Sequence, residues 1–286
     1  MTAGAEAIPA PVQEKLAALG LTHITPRPDG PHGIRVLRAM STSGPVIVTA
    51  MTSPPRSAAG AWHRAEQQAH RTAATEGCLI NRPAMRYADD TITVFDHLEG
   101  APLSADRYAP ELQAATVIRV LDQLEALYSW KPDSLPTDTP EVERQLAKFR
   151  AAGLLTPATD AAVRVFLNNK PALRPELGTV HTGLRASADN VWVSDLQRLA
   201  WRPAGYDWAQ LQLRWGPANP WLGRELLQRA EHHGVAGTYT ANFMLAAARE
   251  WLHIRNRPFD HRMIRVAADN VDLARTLLRR IYDTTH

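Results

Sequence analysis

The feature that most constrains the fold is a change of hydrophobic period near Gly100. Before it, Ile34–Met40 and Pro45–Met51 are two apolar runs separated by Ser41-Thr42-Ser43-Gly44. Short apolar runs flanking a turn-forming segment predict a β-hairpin. Leu79–Tyr87 and Thr91–Leu98, joined by Ala88-Asp89-Asp90, repeat the signal. Between the two hairpins, Ser57–Glu76 has no proline and many alanines and glutamines, which predicts a helix. After Gly100 and Pro102 the pattern switches. Val117, Leu121, Leu124 and Tyr128 recur at intervals of four, three and four, one face of a helix. The expected fold class is therefore α+β: a strand-rich region over residues 1–99, then a largely helical one over residues 100–286.

Weaker signals complete the map. Pro11–Leu19 reads as a short helix, and Pro26, Pro28, Gly30, Pro31 and Gly33 as a turn-rich break. Lys131–Pro140 reads as a loop, and Val142–Leu154 and Asp160–Asn168 as helices. Short β-like patches stand at Val191–Val193 and Leu199–Trp201. Leu222–Ile281 is mostly helical by period. No internal repeat is visible.

Composition narrows the function classes. A single cysteine, Cys78, rules out an internal disulfide framework and a cysteine-rich zinc site. It fits a reducing, cytoplasmic setting, and the first residues lack the pattern of a secretory signal. No stretch approaches the ~20 apolar residues of a membrane span, so no membrane partner is expected. The net charge is +3, carried by arginines that are distributed rather than clustered. That distribution argues against a nucleic-acid surface and leaves anionic small molecules or acidic peptide segments as partners.

The residues around His181 add a more specific signal. The chain reads His181-Thr182-Gly183-Leu184-Arg185-Ala186-Ser187-Ala188-Asp189-Asn190-Val191-Trp192-Val193, then Leu199-Ala200-Trp201-Arg202-Pro203-Ala204-Gly205-Tyr206-Asp207-Trp208. Upstream stands Phe95-Asp96-His97-Leu98-Glu99-Gly100-Ala101-Pro102-Leu103. This order resembles the aminoglycoside-phosphotransferase family within the protein-kinase-like superfamily. The family carries H-G-D-L-x-x-x-N, two following strands, and a hinge of the form hydrophobic–acidic–x–L–x–G–x–x–L. The resemblance implies a bilobal fold: a β-rich N-lobe with one helix, a larger helical C-lobe, and ATP with magnesium in the cleft between them. It makes Asp96 a hinge residue, His181 the loop histidine, Asn190 a metal-holding asparagine two residues beyond its usual place, and Asp207 a structural residue opening a C-lobe helix.

The same resemblance exposes losses. Phosphoryl transfer works by positioning and charge neutralisation. The family's phosphate-contacting lysine falls on Thr49, in Val46-Ile47-Val48-Thr49, and no lysine exists between Lys15 and Lys131. The catalytic aspartate falls on Gly183 and the magnesium-binding aspartate on Ala200, or on Trp201 or Arg202 if the gap is shifted. Glu66 would be the lysine's ion-pair partner. Catalytic residues are therefore not assignable, no metal site is expected, and whether the chain is an enzyme is left open. The expected ligand-contacting residues are Glu66, Asp96, His181, Asn190 and Trp201.

Simpler readings stand beside these. Asp189-Asn190 is a common turn pair, and Glu66 an ordinary solvated or locally paired helix residue. His63 and His70 could share a helix face, but no third metal ligand is placed. His232-His233 before Gly234 fits a helix C-terminus. Three functions follow. One is a kinase-fold protein that binds a small molecule, peptide or partner protein without catalysis, as kinase-like subunits in ribosomal-peptide biosynthesis do. Another is an active phosphotransferase using displaced acids such as Asp189, Asp195 or Asp207. The last is an unrelated α+β binding module.

Overall fold

The computed structural model describes residues 8–27, 33–103, 112–168, 171–178, 183–257 and 261–285. The chain divides into two compact units. The first comprises residues 1–101 and 185–198; the second comprises 102–184 and 199–286.

The first unit is built on an antiparallel five-stranded sheet. Its strands are β1 (Thr22–Arg27), β2 (Ile34–Ser41), β3 (Gly44–Met51), β4 (Met85–Ala88) and β5 (Ile92–Asp96), in spatial order β1-β2-β3-β5-β4. The Ser41–Gly44 turn closes β2 on β3 in register, with Leu37 opposite Val48 and Val36 opposite Thr49. In the turn between β4 and β5, the Asp89 carboxylate accepts the Thr91 and Ile92 amides at 2.8 and 2.9 Å. The short helix α1 (Ala10–Ala18) buries Val12 and Leu16 in one cluster with Leu37, Val46, Val48, Ala50, Ile92 and Val94. Its Lys15 ammonium donates to Asp89 and Thr91, both at 2.6 Å.

The helix α2 (Ala58–Thr75) begins at Ser57, whose hydroxyl accepts the Gly60 amide at 3.2 Å. That satisfies one of the free N–H groups of a first helical turn. Strand β6 (Ala101–Pro102) ends the first long segment. The unit is completed by two short neighbouring strands, β8 (Leu184–Ala186) and β9 (Val191–Val193), joined by a turn in which Ser187 and Asn190 bond each other.

The second unit is mainly helical: α3 (Ala114–Ser129), α4 (Val142–Ala151), α5 (Pro157–Asn168), α6 (Tyr206–Trp215), α7 (Pro220–His232), α8 (Ala236–Arg255) and α9 (His261–Thr285). α8 is buried almost all round, from Thr238 to Ala248, which makes it the centre of the helical packing. A two-stranded sheet, β7 (Leu173–Glu176) with β10 (Ala200–Pro203), lies in the same unit.

Three features differ from the sequence expectation. β1 is a strand although the sequence around Pro26 reads as a break. It is an edge strand, where a missing N–H costs no ladder bond. β7 was not expected either; it contains Pro175 and pairs with one neighbour only. The Leu79–Tyr87 run yields a strand only from Met85, and Leu79 is the most exposed of the large apolar residues described. No described helix is long and apolar enough to cross a membrane.

Candidate functional site

In the first unit the site grows from β3, β5 and α2. Thr49 and Thr93 are paired across the ladder, and both are buried. On α2 the buried face runs through Ala59, His63, Glu66, His70 and Ala73, at helical spacing, with Gln67 beside it. Polar side chains on such a face need partners. The Gln67 amide donates to Asp89 O and to Thr93 Oγ1, both at 2.8 Å, and lies 2.9 Å from His63 Nε2. Burial lowers the pKa of His63, so the imidazole is held neutral there.

Glu66 sits one turn further along. Only 4% of it is exposed. Both carboxylate oxygens accept the Leu196 amide, at 3.2 and 3.0 Å, and one lies 3.1 Å from His70 Nε2. His70 packs against the Phe95 ring at 4.7 Å. Sequence reasoning gave Glu66 a solvated or locally paired position, or a lysine partner. The structure buries it, pairs it with His70 four residues on, and uses it to tie α2 to the segment after β9. Thr49 stands where the resemblance puts the lysine.

Val191–Val193 neighbours β8, and β10 pairs with β7. The strands at Val191–Val193 and Ala200–Pro203 therefore belong to different sheets. β9 is itself the second strand of its hairpin, and the acid that follows it is Asp195, half-buried and adjacent to Leu196. Asn190 and Asp189 lie in the exposed β8–β9 turn, where the Asn190 amide donates to Ser187 Oγ at 3.1 Å. Asp96 is held by a two-pronged contact from Arg86, at 2.6 and 3.0 Å. His181 lies outside the described residues.

In the second unit a buried carboxyl pair organises the chain around β7 and α6. Glu176 accepts the Gly205, Tyr206 and Asp207 amides at 2.8, 3.2 and 2.9 Å, which caps the start of α6. Asp207 reaches back and accepts the Leu177 and Gly178 amides at 2.5 and 3.0 Å. Each acid thus holds the backbone beside the other. The Tyr128 hydroxyl joins them, accepting from the Gly205 amide, and Tyr128 stacks on Trp208 at 4.7 Å. Gly205 has φ +85, and a Cβ there would lie 2.8 Å from Tyr239 Cα, so only glycine fits. Burial, then the neighbouring Asp207, push the Glu176 carboxyl well above its usual range; burial also raises Asp207.

Beside this pair, Arg202 donates to Asp138 at 3.0 and 2.7 Å and to Glu176 O at 3.0 Å. Ala200 is buried opposite Glu176, and half-buried Trp201 stands opposite Pro175. Gly183 immediately precedes β8. Asp207 was expected to open α6 as a cap; it lies inside the first turn and holds the β7 end, while the cap is Glu176. No sequence signal marks Glu176, a lone acid between Pro175 and Leu177. Among the described residues, no group of three or more His, Cys, Asp or Glu side chains could hold a metal ion. The Nε2 atoms of His63 and His70 are both engaged by the contacts above.

No protein-family model matches the chain, and no curated protein does. Solved structures do match. A macrolide 2'-phosphotransferase from Brachybacterium faecium aligns over 91% of this chain and 97% of its own, at 15% identity and TM-score 0.61. The streptomycin–ATP complex of the aminoglycoside phosphotransferase APH(2")-IIa aligns over 95% and 99%, at 11% identity and TM-score 0.59. A choline/ethanolamine kinase family protein from Mesorhizobium loti aligns over 93% and 94%, at 15% identity and TM-score 0.57. The chain therefore has the α+β fold of the antibiotic phosphotransferases and their kinase-like relatives.

Proposed function

We propose that this chain is a phosphotransferase-fold protein that has lost phosphoryl transfer and acts by binding. The observation that carries the reading is the environment of Glu66. In a kinase-type site an acid on the helix holds a lysine on the third strand, and that lysine meets the phosphates. Here the strand carries Thr49, and the acid is already occupied by the Leu196 amide and His70. The carboxylate is thus held in place by partners other than a cation on β3. The polar mesh of His63, Gln67 and Thr93 fills the neighbouring face, so a lysine at Thr49 would enter a packed, hydrogen-bonded region. The structural relatives act on or bind small molecules, among them macrolides and streptomycin. A small hydroxylated molecule is accordingly the ligand class proposed, with a peptide or partner protein as the other.

Asp195 supports a second reading, an active magnesium-dependent phosphotransferase. It lies two residues past the end of β9, after Ser194, and a carboxylate is the side chain a hard divalent cation needs. A thermal-shift titration with ATP, with and without magnesium, separates the two, because ligand binding to the native state raises the melting temperature by mass action. The binding-protein reading expects no magnesium-dependent rise at millimolar ATP. A magnesium-dependent rise that disappears in Asp195→Ala, accompanied by release of ADP from ATP in the parent, would overturn it and establish the active enzyme.

A further inference from the structure

We infer that the exposed face of α9 is a homodimer interface, in which two copies of the chain lay their α9 helices antiparallel against one another about a twofold axis. All of it lies in the second unit, and Thr49, Glu66, Asp195 and the Glu176–Asp207 pair take no part.

α9 carries two apolar stripes. Ala267, Val271, Ala274, Leu278 and Ile281 are buried, and α9 packs on α8. Val266, Leu273 and Leu277 form the second stripe, beside a groove that Leu227 of α7 lines from the other side. Leu273 is 41% exposed and Leu277 half-buried. The positions Val266, Asn270, Leu273, Leu277 and Arg280 are spaced four, three, four and three, which averages the 3.5 residues of a helix that pairs with another helix. Asn270 is buried and donates to Leu213 O at 3.4 Å. The two leucines between it and Arg280 are the apolar centre of the open stripe.

The charges show which partner fits. From Asp269 to its end, α9 has six charged residues. Two pairs close within the helix, Arg275 with Asp272 at 2.9 Å and Arg279 with Asp283 at 3.5 Å. Asp269 and Arg280 have no partner among the described residues, and both line the groove. About 16 Å of helix separates them, too far for them to meet in one chain. In an antiparallel pair, Asp269 of one copy comes level with Arg280 of the other, and the same contact recurs at the far end. The midpoint of Asp269 and Arg280 and the midpoint of Leu273 and Leu277 lie within about half a residue of each other. One twofold axis therefore sets leucines against leucines at the centre and an ion pair at each end. A patch complementary to itself is what an isologous interface requires. A partner of one charge sign would satisfy only one of the two groups.

Sedimentation velocity of the full chain tests this. The parent should sediment as a dimer at about 100 μM and shift toward monomer on dilution. Asp269→Arg sets arginine against Arg280 at both ends and should weaken the dimer at least about tenfold. Combining Asp269→Arg with Arg280→Asp restores opposite charges and should restore the dimer. Leu273→Glu should also dissociate it, because a charge would be enclosed at the centre. All three positions are exposed in the single chain, so the variants should keep the parent's circular dichroism. A parent that stays monomeric over that range overturns the inference. So does a dimer that persists in Asp269→Arg and Leu273→Glu, or one that the double exchange does not restore. None of these results depends on ATP or magnesium, so the dimer and the binding-protein reading fail independently.

Discussion

Replacing Glu66 by alanine tests the central structural argument. The substitution removes the acceptor for the Leu196 amide and the partner of His70. Glu66 is 4% exposed and Leu196 fully buried, so water does not readily replace the carboxylate. An orphaned buried donor costs about 1–3 kcal/mol, and a hydrogen bond to a charged acceptor contributes about 1.5–3 kcal/mol. These overlap, since both describe the same bond, and a loss of about 3 kcal/mol is the expectation. For a domain of this size each kcal/mol moves the melting temperature by roughly 2–4 °C, so a fall of roughly 6–12 °C should follow. Glu66→Gln keeps one acceptor oxygen and should lose only about 1 kcal/mol. Calorimetry reads both values, and amide hydrogen exchange at Leu196 should accelerate in the alanine variant. If Glu66→Ala melts within about 2 °C of the parent and the Leu196 amide stays protected, the carboxylate does not hold that segment. The argument that it has been diverted from a cation would then fall.

The remaining expectations concern the two other buried polar groups. Glu176→Ala should cost about 3–5 kcal/mol, because the Tyr206 and Asp207 amides lose their acceptor and the Gly205 amide keeps only Tyr128, beside a buried Asp207; chemical denaturation measures it, and a loss under about 1 kcal/mol would contradict the capping role. Burial raises the Glu176 carboxyl, so its favourable contribution is complete below the unfolded range near pH 4.5 and is lost as pH rises through the folded value. Glu176→Gln should therefore flatten the decline in stability above that range, and an unchanged pH profile would contradict the raised carboxyl. His63 behaves in the opposite sense. Its pKa is lowered from 6.5 by burial, so the unfolded chain takes up the proton first and stability falls as pH drops below about 6.5. His63→Gln should reduce that slope in urea-melting curves between about pH 5 and 7.

Much of the architecture was legible because it rests on local chemistry. Alternating apolar runs around Ser41–Gly44 and Asp89 give hairpins wherever they stand, and Ser57 caps α2 by its own side chain. The four-three-four spacing of Val117, Leu121, Leu124 and Tyr128 fixed the buried face of α3. β1 and β7 were not legible, since a proline inside a strand is tolerated where that strand lacks a second neighbour, and neighbours are a tertiary property.

The site divides along the same line. The absence of a lysine between Lys15 and Lys131 is a fact of composition, and no folding can alter it. The pairing of β10 with β7 joins strands separated in sequence by β8 and β9, which meet each other across a short turn. Asp195 is the first acid after β9, and Asn190 stands in an exposed turn. Glu66 and Leu196 are 130 residues apart, and Glu176 and Asp207 are 31 apart. Side chains so separated carry no periodic or spacing signal, because their contact is decided by which faces are buried together. The sequence by itself determined the elements and the missing cation. Only the tertiary structure decided which buried acids would be satisfied by backbone amides, since that choice requires both partners to be withdrawn from water at once.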